Sequence, residues 1–420
     1  DCAQRLEAAL LRTLRHNAGN GHTCLPRAQL LETASNFIHQ PPEKLARALD
    51  KCIETEELCV KMFDGVPYIY LPDLLAAEQD IAHRLAILAR RGKNTARDLD
   101  RNLQVLELTQ GFAYAPLQRE AIRKAMTENC LVLTGGPGTG KTTVLKTVIE
   151  VYRQLYPQQK IVLGAPTGKA SRRMAEATGI DEAQTLHSIL GLHGDSESKK
   201  DRERKPLEAG LLIVDETSMV DMWLIHQLFS RLRPGTKVLL VGDADQLESV
   251  GAGDVFHELI GSGVVPVTVL DEIFRQAQDS LIAHNARFIN EGKTTLYYGE
   301  DFAFHKAESQ EETAGIIREL YREQIAAKGI EQVEILSPFR SEGEASVNSL
   351  NEAIREEINP AAPETPEIVY AGKIFRLNDR VMQMRNNYEI KLYNRSGKQV
   401  GEGVSTVTSV PSAKSAAPMS

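Results

Sequence analysis

A glycine-rich run that ends in lysine and threonine is the strongest chemical signal in this sequence. Residues 135–143 read GGPGTGKTT, which fits the pattern GxxxxGK[ST] between an apolar run and a helical pattern. Glycines let backbone N–H groups turn towards phosphate oxygens, Lys141 would reach the β and γ phosphates, and Thr142 would coordinate Mg²⁺. The sequence therefore predicts a P-loop for ATP and Mg²⁺, formed by Gly135, Gly136, Pro137, Gly138, Thr139, Gly140, Lys141, Thr142 and Thr143.

Two carboxylates and a glutamine follow later apolar runs. Asp215 and Glu216 end the run LLIVDE, where buried ionised carboxylates are costly without a cation or a partner. Asp215 fits a magnesium position, and Glu216 is the candidate that orients and deprotonates the attacking water. The alternative is a pair that caps the next helix. Gln246 follows the run KVLLVGD and is a candidate sensor of the γ phosphate.

A third group of polar residues suits the backbone of single-stranded DNA. Hydroxyl groups and positive charges follow the run KIVLGAP, and a further hydroxyl and an imidazole come soon after. The alternatives are a solvated helix start and, for the histidine, a hydrogen-bonded structural role. The candidate DNA-binding residues are Pro166, Thr167, Lys169, Ser171, Arg172, Thr185 and His187.

Alternating strand-like and helical patterns would position these residues. Apolar runs at 130–135, 160–166, 211–216 and 237–243 alternate with helical segments, which is typical of an α/β fold with a parallel sheet covered on both faces. We expect an ATPase domain over 111–270. A second α/β domain is expected over 271–395, with helices at 309–328 and 344–358 around a strand at 332–339. The charged run 195–206 is interpreted as a solvated loop, and the Ser/Ala-rich residues 396–420 as a poorly ordered tail.

The N-terminal residues, 1–92, have a different pattern. Three helical patterns precede two β-prone runs joined by Asp64-Gly65, a dipeptide suited to a tight hairpin. This order is that of a winged helix, and a helical adaptor that never touches DNA is an equal alternative. A helix is expected over 73–92, and a linker over 93–110.

The overall composition narrows the class of protein. The 420 residues include 49 basic and 57 acidic ones, a net charge of −8, which argues against coating nucleic acid through bulk positive charge. No run approaches the roughly 18 apolar residues of a membrane span, and no signal peptide is evident, so a soluble cytoplasmic protein is expected. Five cysteines without CxxC spacing favour reduced thiols over disulfides or a zinc site.

The order of the motifs resembles that of the RecD-type superfamily 1 DNA helicases. The shared segments are YAPLQREAI around Gln118, GGPGTGKTT, APTGKAS (165–171), TLHSILG (185–191), IVDETSM (213–219), GDADQLESVGAGDVF (242–256), LDEIFRQ (270–276), ILSPFR (335–340) and NDRVMQMRNNYE (378–389). The resemblance implies a winged-helix-like segment followed along the chain by two RecA-like domains, of which the second is incomplete here. It also implies 5′ to 3′ movement on single-stranded DNA and a role in recombination or repair. Partner subunits are expected for such a role, and their identity does not follow from the sequence.

The same resemblance assigns roles to single residues. Gln118 would contact adenine, and Lys141 and Thr142 would bind phosphate and Mg²⁺. Asp215 and Glu216 would serve hydrolysis, Gln246 would couple the γ phosphate to DNA, and Arg275 would reach the γ phosphate.

The sequence departs from the family after Ile390. Relatives continue to a segment similar to TVHKSQG and to a further arginine of the ATP site, neither of which is present here. A missing transition-state arginine can cost on the order of 10³- to 10⁵-fold in rate. Two hypotheses therefore stay open, an ATP-driven helicase or translocase and an ATP-binding, DNA-binding module without motor activity.

Overall fold

A computed structural model describes most of the chain. It covers residues 3–90, 99–180, 182–192, 205–272, 280–363, 365–382, 387–393, 399–404 and 409–411. The chain divides into two compact units, Asp1–Asp279 and Ser280–Ser420. In the described residues, no helix is both long and apolar enough to cross a bilayer.

Three helices and a three-stranded antiparallel sheet form the start of the first unit. The sheet order is β1-β3-β2, and the β2–β3 hairpin turns at Asp64 and Gly65, both with positive φ. This is the element order expected for a winged helix, with one short strand that the sequence pattern did not reveal. The elements are α1 (Ala3–Ala18), β1 (Cys24–Pro26), α2 (Arg27–Ile38), α3 (Pro42–Glu54), β2 (Cys59–Phe63) and β3 (Val66–Tyr70).

A six-stranded parallel sheet forms the centre of the same unit. Its order is β6-β5-β7-β8-β4-β9, with every neighbouring pair parallel. The four strands expected from the sequence are present, and the two edge strands are additional. The strands are β4 (Cys130–Gly135), β5 (Ile161–Ala165), β6 (Gln184–Thr185), β7 (Leu211–Val214), β8 (Lys237–Gly242) and β9 (Val267–Leu270).

Helices cover both faces of this sheet, as the α/β prediction requires. Along β4, Leu131 and Leu133 lie in one apolar cluster, and Cys130 and Val132 lie in the other. Successive residues of a strand point to opposite faces, so a strand between two helical layers is apolar throughout. The helices of the unit are α4 (Pro72–Arg90), α5 (Leu99–Gln110), α6 (Pro116–Thr127), α7 (Lys141–Leu155), α8 (Gly168–Thr178), α9 (Leu186–Ile189), α10 (Met222–Phe229) and α11 (Val255–Ser262).

The expected linker over 93–110 is wrong in its described part. Residues 99–110 form α5, because Leu99, Leu103 and Leu106 recur at helical spacing and are buried in the core beside α7. An ion pair between Glu107 and Arg119 joins α5 to α6. Residues 93–98 lie outside the described ranges.

The helix expected over 73–92 is present as α4 and joins the N-terminal elements to the sheet. It packs on α10, where Arg84 Nη1 donates a hydrogen bond to the carbonyl of Phe229 at 3.2 Å. Asp80 Oδ2, on α4, lies 3.1 Å from Nε2 of His226, on α10. The N-terminal elements and the ATPase elements therefore contact each other through α4 and α10, and both belong to the first compact unit.

The described residues of the second unit form no parallel sheet, although one was expected for a second RecA-like domain over 271–395. Two of its helices match the prediction, but residues 333–339 are irregular, with Leu336 93% exposed. A strand needs a hydrogen-bonded neighbour, and the described residues give this segment none. The elements are α12 (Leu281–Asn290), α13 (Gln310–Lys328), α14 (Val347–Ile358), β10 (Glu367–Tyr370), β11 (Lys373–Arg376), β12 (Arg380–Met382), β13 (Asn387–Tyr393), β14 (Gln399–Val404) and β15 (Ser409–Pro411).

The strands of the second unit pair antiparallel, including two in the expected tail. The strand β14 pairs with β13, and β15 pairs with β12. The prediction of a poorly ordered tail over 396–420 is thus wrong for 399–404 and 409–411, since the interspersed valines favour strands and partners are available. The rest of that tail, and most of the charged run 195–206, lie outside the described residues.

Candidate functional site

The carboxyl ends of three adjacent strands bring the predicted catalytic segments to one edge of the sheet. The strand β4 ends at Gly135, β7 ends at Val214 and β8 ends at Gly242, in the spatial order β7-β8-β4. Ligands of open α/β sheets bind outside the carboxyl ends of the strands. The P-loop, the pair Asp215–Glu216 and the loop with Gln246 all begin at this edge.

The P-loop turns tightly between β4 and α7, and its sequence explains why. Gly138 and Gly140 have φ values of 77° and 84°, which glycine adopts without steric cost. At Gly135 a Cβ would lie 2.5 Å from the carbonyl oxygen of Leu270, so only glycine fits. The buried Thr139 closes the turn, donating a hydrogen bond to the carbonyl of Gly136 at 2.8 Å.

Lys141 and Thr142 begin α7, where the predicted phosphate ligands should lie. Lys141 Nζ donates hydrogen bonds to the carbonyls of Gly135 and Gly136, the latter at 3.0 Å, so the ammonium lies within the loop. Thr142 is exposed in the first turn, and Thr143 is partly exposed. The N-terminal N–H groups and dipole of a fifteen-residue helix favour an anion at this position.

Gln118 supports the P-loop from α6. Its side chain is 4% exposed, Nε2 donates to the carbonyl of Thr139 at 3.4 Å, and Oε1 accepts from the N–H of Ala115 at 3.2 Å. The structure thus brings Gln118 to the P-loop, as expected for a residue of the nucleotide site, and its contact with adenine stays a prediction.

Asp215 and Glu216 follow β7 and lie within electrostatic reach of Lys141. Burial raises the pKa of Asp215, while a hydrogen bond from the N–H of Glu216, at 2.9 Å, and the charge of Lys141 oppose the rise. Burial and the charge of Asp215 raise the pKa of Glu216. Glu216 has a φ of 51°, a left-handed conformation that costs energy in a residue other than glycine and is enriched at functional sites.

Helix capping does not account for this pair. The helix after β7 is α10, and its N-cap is Asp221, whose side chain accepts from the N–H of Leu224 at 2.8 Å. Glu216 makes no side-chain capping bond to the short 3₁₀ turn Thr217–Met219. The capping alternative is therefore not supported.

Gln246 lies in the loop after β8 and is held by Asp243. Its Nε2 donates to Asp243 Oδ2 at 3.2 Å, and Asp243 also accepts from the N–H of Asp245 at 3.1 Å. Asp243 is 3% exposed, whereas Gln246 is exposed. A buried carboxylate therefore orients an exposed amide at the same sheet edge as the P-loop.

The donor set fits a magnesium nucleotide. Mg²⁺ prefers hard oxygen ligands and usually binds through one or two protein groups, waters and substrate phosphates. The desolvated carboxylate of Asp215, with its raised pKa, is the kind of group that a cation stabilises, and Thr142 offers a hydroxyl. The described residues hold no cluster of three or more His, Cys, Asp or Glu that could bind a metal ion.

The candidate DNA residues meet at the neighbouring strands β5 and β6. Register pairs Ala165 with Thr185, so the segments after both strands start side by side. Thr167 and Thr185 cap the helices α8 and α9, accepting from backbone N–H groups at 3.2 Å each. Lys169 and Arg172 are exposed, while Pro166 and His187 are partly exposed.

Ser171 is the member of this group that is least accessible. It is 7% exposed, and its hydroxyl donates to the carbonyl of Gly168 at 3.0 Å within α8. Its geometry is that of a structural residue. The other arginine candidate, Arg275, lies outside the described residues.

Three residues at the site escaped the sequence reasoning. Asp243 orients Gln246, and Thr134 Oγ1 accepts from the N–H of Ala244 at 3.0 Å. The charge of Arg173, on α8, acts to lower the pKa of Glu216. Polar residues at the carboxyl ends of predicted parallel strands were the available signal for the first two, because such ends share one edge.

Comparisons with known proteins agree with this geometry. Residues 118–252 match a family described as an AAA domain, and residues 350–395 match the SH3 domain of ATP-dependent RecD-like DNA helicases. The second match falls where a second RecA-like domain was expected, and it agrees with the antiparallel strand pairs found there.

Relatives of the chain carry RecD names. The ATP-dependent RecD2 DNA helicase of Deinococcus radiodurans is 29% identical over 408 residues, which are 94% of this chain and 54% of that protein. The RecD subunit of the RecBCD enzyme of Mycobacterium tuberculosis is 38% identical over 203 residues, 44% of this chain and 34% of that protein. The chain thus spans about half the length of the first relative and about a third of the second.

Among solved structures, the Pif1 helicase from Candida albicans aligns over 66% of each chain, with 22% identity and a TM-score of 0.41. That score is too low to identify a fold by itself. By sequence, the chain is thus similar to an AAA domain, to the SH3 domain of RecD-like DNA helicases, and to relatives named RecD2 and RecD.

Proposed function

We propose that this chain is the ATP-driven part of a DNA helicase or translocase that moves on single-stranded DNA. The observation that carries the proposal is the sheet edge at which the P-loop, Asp215–Glu216 and Gln246 meet, next to the exposed cations after β5. The RecD-type SH3 match supports DNA as the track. We further propose 5′ to 3′ polarity and a role in recombination or repair.

Hydrolysis would divide its tasks among the residues described. Lys141 and the backbone N–H groups at the start of α7 would bind the phosphates. Gln118 would contact the adenine base. Thr142 and Asp215 would hold Mg²⁺, which neutralises the developing charge on the phosphates when bound. Glu216 would orient the attacking water and accept its proton, and Gln246 would sense the γ phosphate.

The DNA path would run along the ends of β5 and β6. Lys169 and Arg172 supply charge to the phosphate backbone, and Thr167 and Thr185 keep hydroxyl hydrogens that can donate.

Strand displacement tests the proposal. Duplexes with a 5′ tail, a 3′ tail or blunt ends would be incubated with the chain, ATP and Mg²⁺, and release of the labelled strand would be followed. We expect release from the 5′-tailed duplex alone, and none with a non-hydrolysable ATP analogue. Hydrolysis that single-stranded DNA stimulates, without release from any duplex, would favour a translocase. Tight DNA binding without any hydrolysis would favour the module without motor activity.

A further inference from the structure

The loop that carries Gln246 is fixed by contacts at both of its ends. At the start, the N–H of Ala244 donates to Thr134 Oγ1 at 3.0 Å, beside the P-loop strand. Near the end, the N–H of Met222 donates to the carbonyl of Ala252 at 3.0 Å, and Gly253 N–H donates to the carbonyl of Gly21 at 2.9 Å. Gln246, two residues after Ala244, therefore depends on a framework that extends beyond the nucleotide site.

His257, in the first turn of α11, contacts both ends of this framework. Its Nδ1 lies 2.7 Å from the carboxylate of Asp254, the N-cap residue of the helix. Its Nε2 lies within hydrogen-bond distance of the carbonyl oxygen of Ala244. One imidazole thus links the helix cap to the residue at which the loop leaves β8.

Both partners of this imidazole are acceptors. A carbonyl oxygen accepts hydrogen bonds and cannot donate one, and the same holds for an ionised carboxylate. A neutral imidazole carries one N–H and can satisfy only one of the two partners, whereas an imidazolium carries two and satisfies both. The geometry therefore selects the charged form of His257.

The surrounding charges favour the same form. The hydrogen bond with Asp254 is the largest cause that raises the pKa of His257 above its ordinary value of 6.5, and burial opposes the rise. The carbonyl of Ala244 and the charge of Glu248 add to it. Further carboxylates lie on the adjoining elements, namely Glu258 on the same helix, Asp243 and Asp245 in the loop after β8, and Glu78 of α4, which interacts with Glu258.

We propose that His257 is a positioning residue, which as an imidazolium clamps Ala244 to Asp254 and so holds Gln246 in place for hydrolysis. The proposal rests on the proposed function, because it assigns Gln246 to the ATP site. Above the raised pKa of the imidazole the clamp loses one of its two bonds, and the loop after β8 loosens. Both bonds are present when the pH lies well below 6.5, and one of them is lost as the pH rises through the raised folded-state pKa.

Two substitutions separate the two bonds of the clamp. The His257→Gln side chain can present its amide Nε2–H where the imidazole Nε2–H was, so it keeps the bond to Ala244 at every pH. The His257→Asn side chain reaches only as far as Nδ1, so it can bond Asp254 but not Ala244. Both residues are polar and of similar size, and His257 is partly exposed, which makes them a matched pair.

Kinetics of ATP hydrolysis with saturating single-stranded DNA test the clamp from pH 6 to 9. The kcat of the wild type should fall as the pH rises towards 9. The kcat of the Gln variant should not fall over this range. The Asn variant should have a lower kcat than the wild type over the whole range. The loss of one hydrogen bond predicts a decrease of roughly two- to tenfold. The KM for ATP should stay within about twofold, because Lys141 and the P-loop backbone bind the phosphates independently of this loop.

The titration of His257, followed through its ring Cε1–H signal by NMR, is a second readout that needs no hydrolysis. The signal would be assigned by its absence from the Asn variant. A pKa above 6.5 that falls in Asp254→Asn supports the clamp, even if the chain hydrolyses no ATP and the proposed function fails. A pKa at or below 6.5 overturns the clamp, as does an Asn variant with wild-type kcat and wild-type pH profile in an active chain.

Discussion

Lys141 is the residue whose role the geometry defines most sharply. Its ammonium bonds the carbonyls of Gly135 and Gly136 and contributes nothing to the apolar core, so Lys141→Ala should fold normally and lose ATP hydrolysis. Lys146→Ala is the matched control, since Lys146 is exposed on the same helix. Turnover of ATP would be measured for both variants, with circular dichroism to check the fold. Wild-type turnover in Lys141→Ala would contradict the P-loop assignment.

Glu216 should separate binding from hydrolysis. In Glu216→Gln the amide keeps the shape of the carboxyl group and cannot accept the proton of the attacking water, so kcat should fall by about 10²-fold or more. Binding of a fluorescent ATP analogue should persist, because Lys141 and the loop backbone are unchanged. If Glu216→Gln loses nucleotide binding as well, Glu216 is a structural residue instead.

At the scale of elements, the start of α8 should bind DNA phosphates without sequence preference. Replacing Lys169 and Arg172 with alanine should weaken single-stranded DNA binding about equally across sequences. It should also reduce the salt slope by roughly one counterion for each DNA phosphate that the variant no longer neutralises. The control is the pair Arg153 and Lys160, which are exposed in the last turn of α7 and directly before β5. Equal salt slopes in the two double variants would place the DNA elsewhere.

The start of β8 contains a desolvated lysine with a consequence for stability. Lys237 is 5% exposed, its Nζ donates to the carbonyl of Glu128 at 2.6 Å, and burial lowers its pKa to about 8. Because the folded state gives up this proton more easily than the unfolded state, stability should rise between about pH 8 and the unfolded pKa of 10.5. Lys237→Met should remove that contribution.

The free energy of unfolding of Lys237→Met and of the wild type would be compared at pH 7.5 and pH 10. We expect their difference to change by about 1–3 kcal/mol between the two pH values, with the variant favoured at the lower one. A difference that does not change with pH would mean that the lysine is solvated in the folded state.

Sequence patterns predicted the buried elements better than the edges. The runs of β4, β5, β7 and β8 are apolar because helices cover both faces of the sheet. Such apolar runs can be recognised from the sequence alone. The strand β6 has two residues and carries no such signal. Residues 99–110 contain enough polar positions to suggest a linker, and only the ATPase core shows what Leu103 packs against.

At the scale of the whole molecule, the site was easier to predict than the second unit. Motif residues fix their own local geometry, as the glycines of the P-loop do, and strand order then brings the motifs together. Residues 332–339 were predicted as a strand, but pairing depends on a partner, which local sequence does not encode. The contacts of His257 are of the same kind, since its two acceptors come from the loop after β8 and the N-cap of α11.

The rate of ATP hydrolysis with and without single-stranded DNA tests the central claim most directly. One sheet edge is proposed to hold both the ATP site and the DNA contacts, so DNA should raise kcat, and the stimulation should be lost in Glu216→Gln and weakened in the Lys169/Arg172 double variant. A rate that single-stranded DNA leaves unchanged in the wild-type chain would contradict coupling between the two sites.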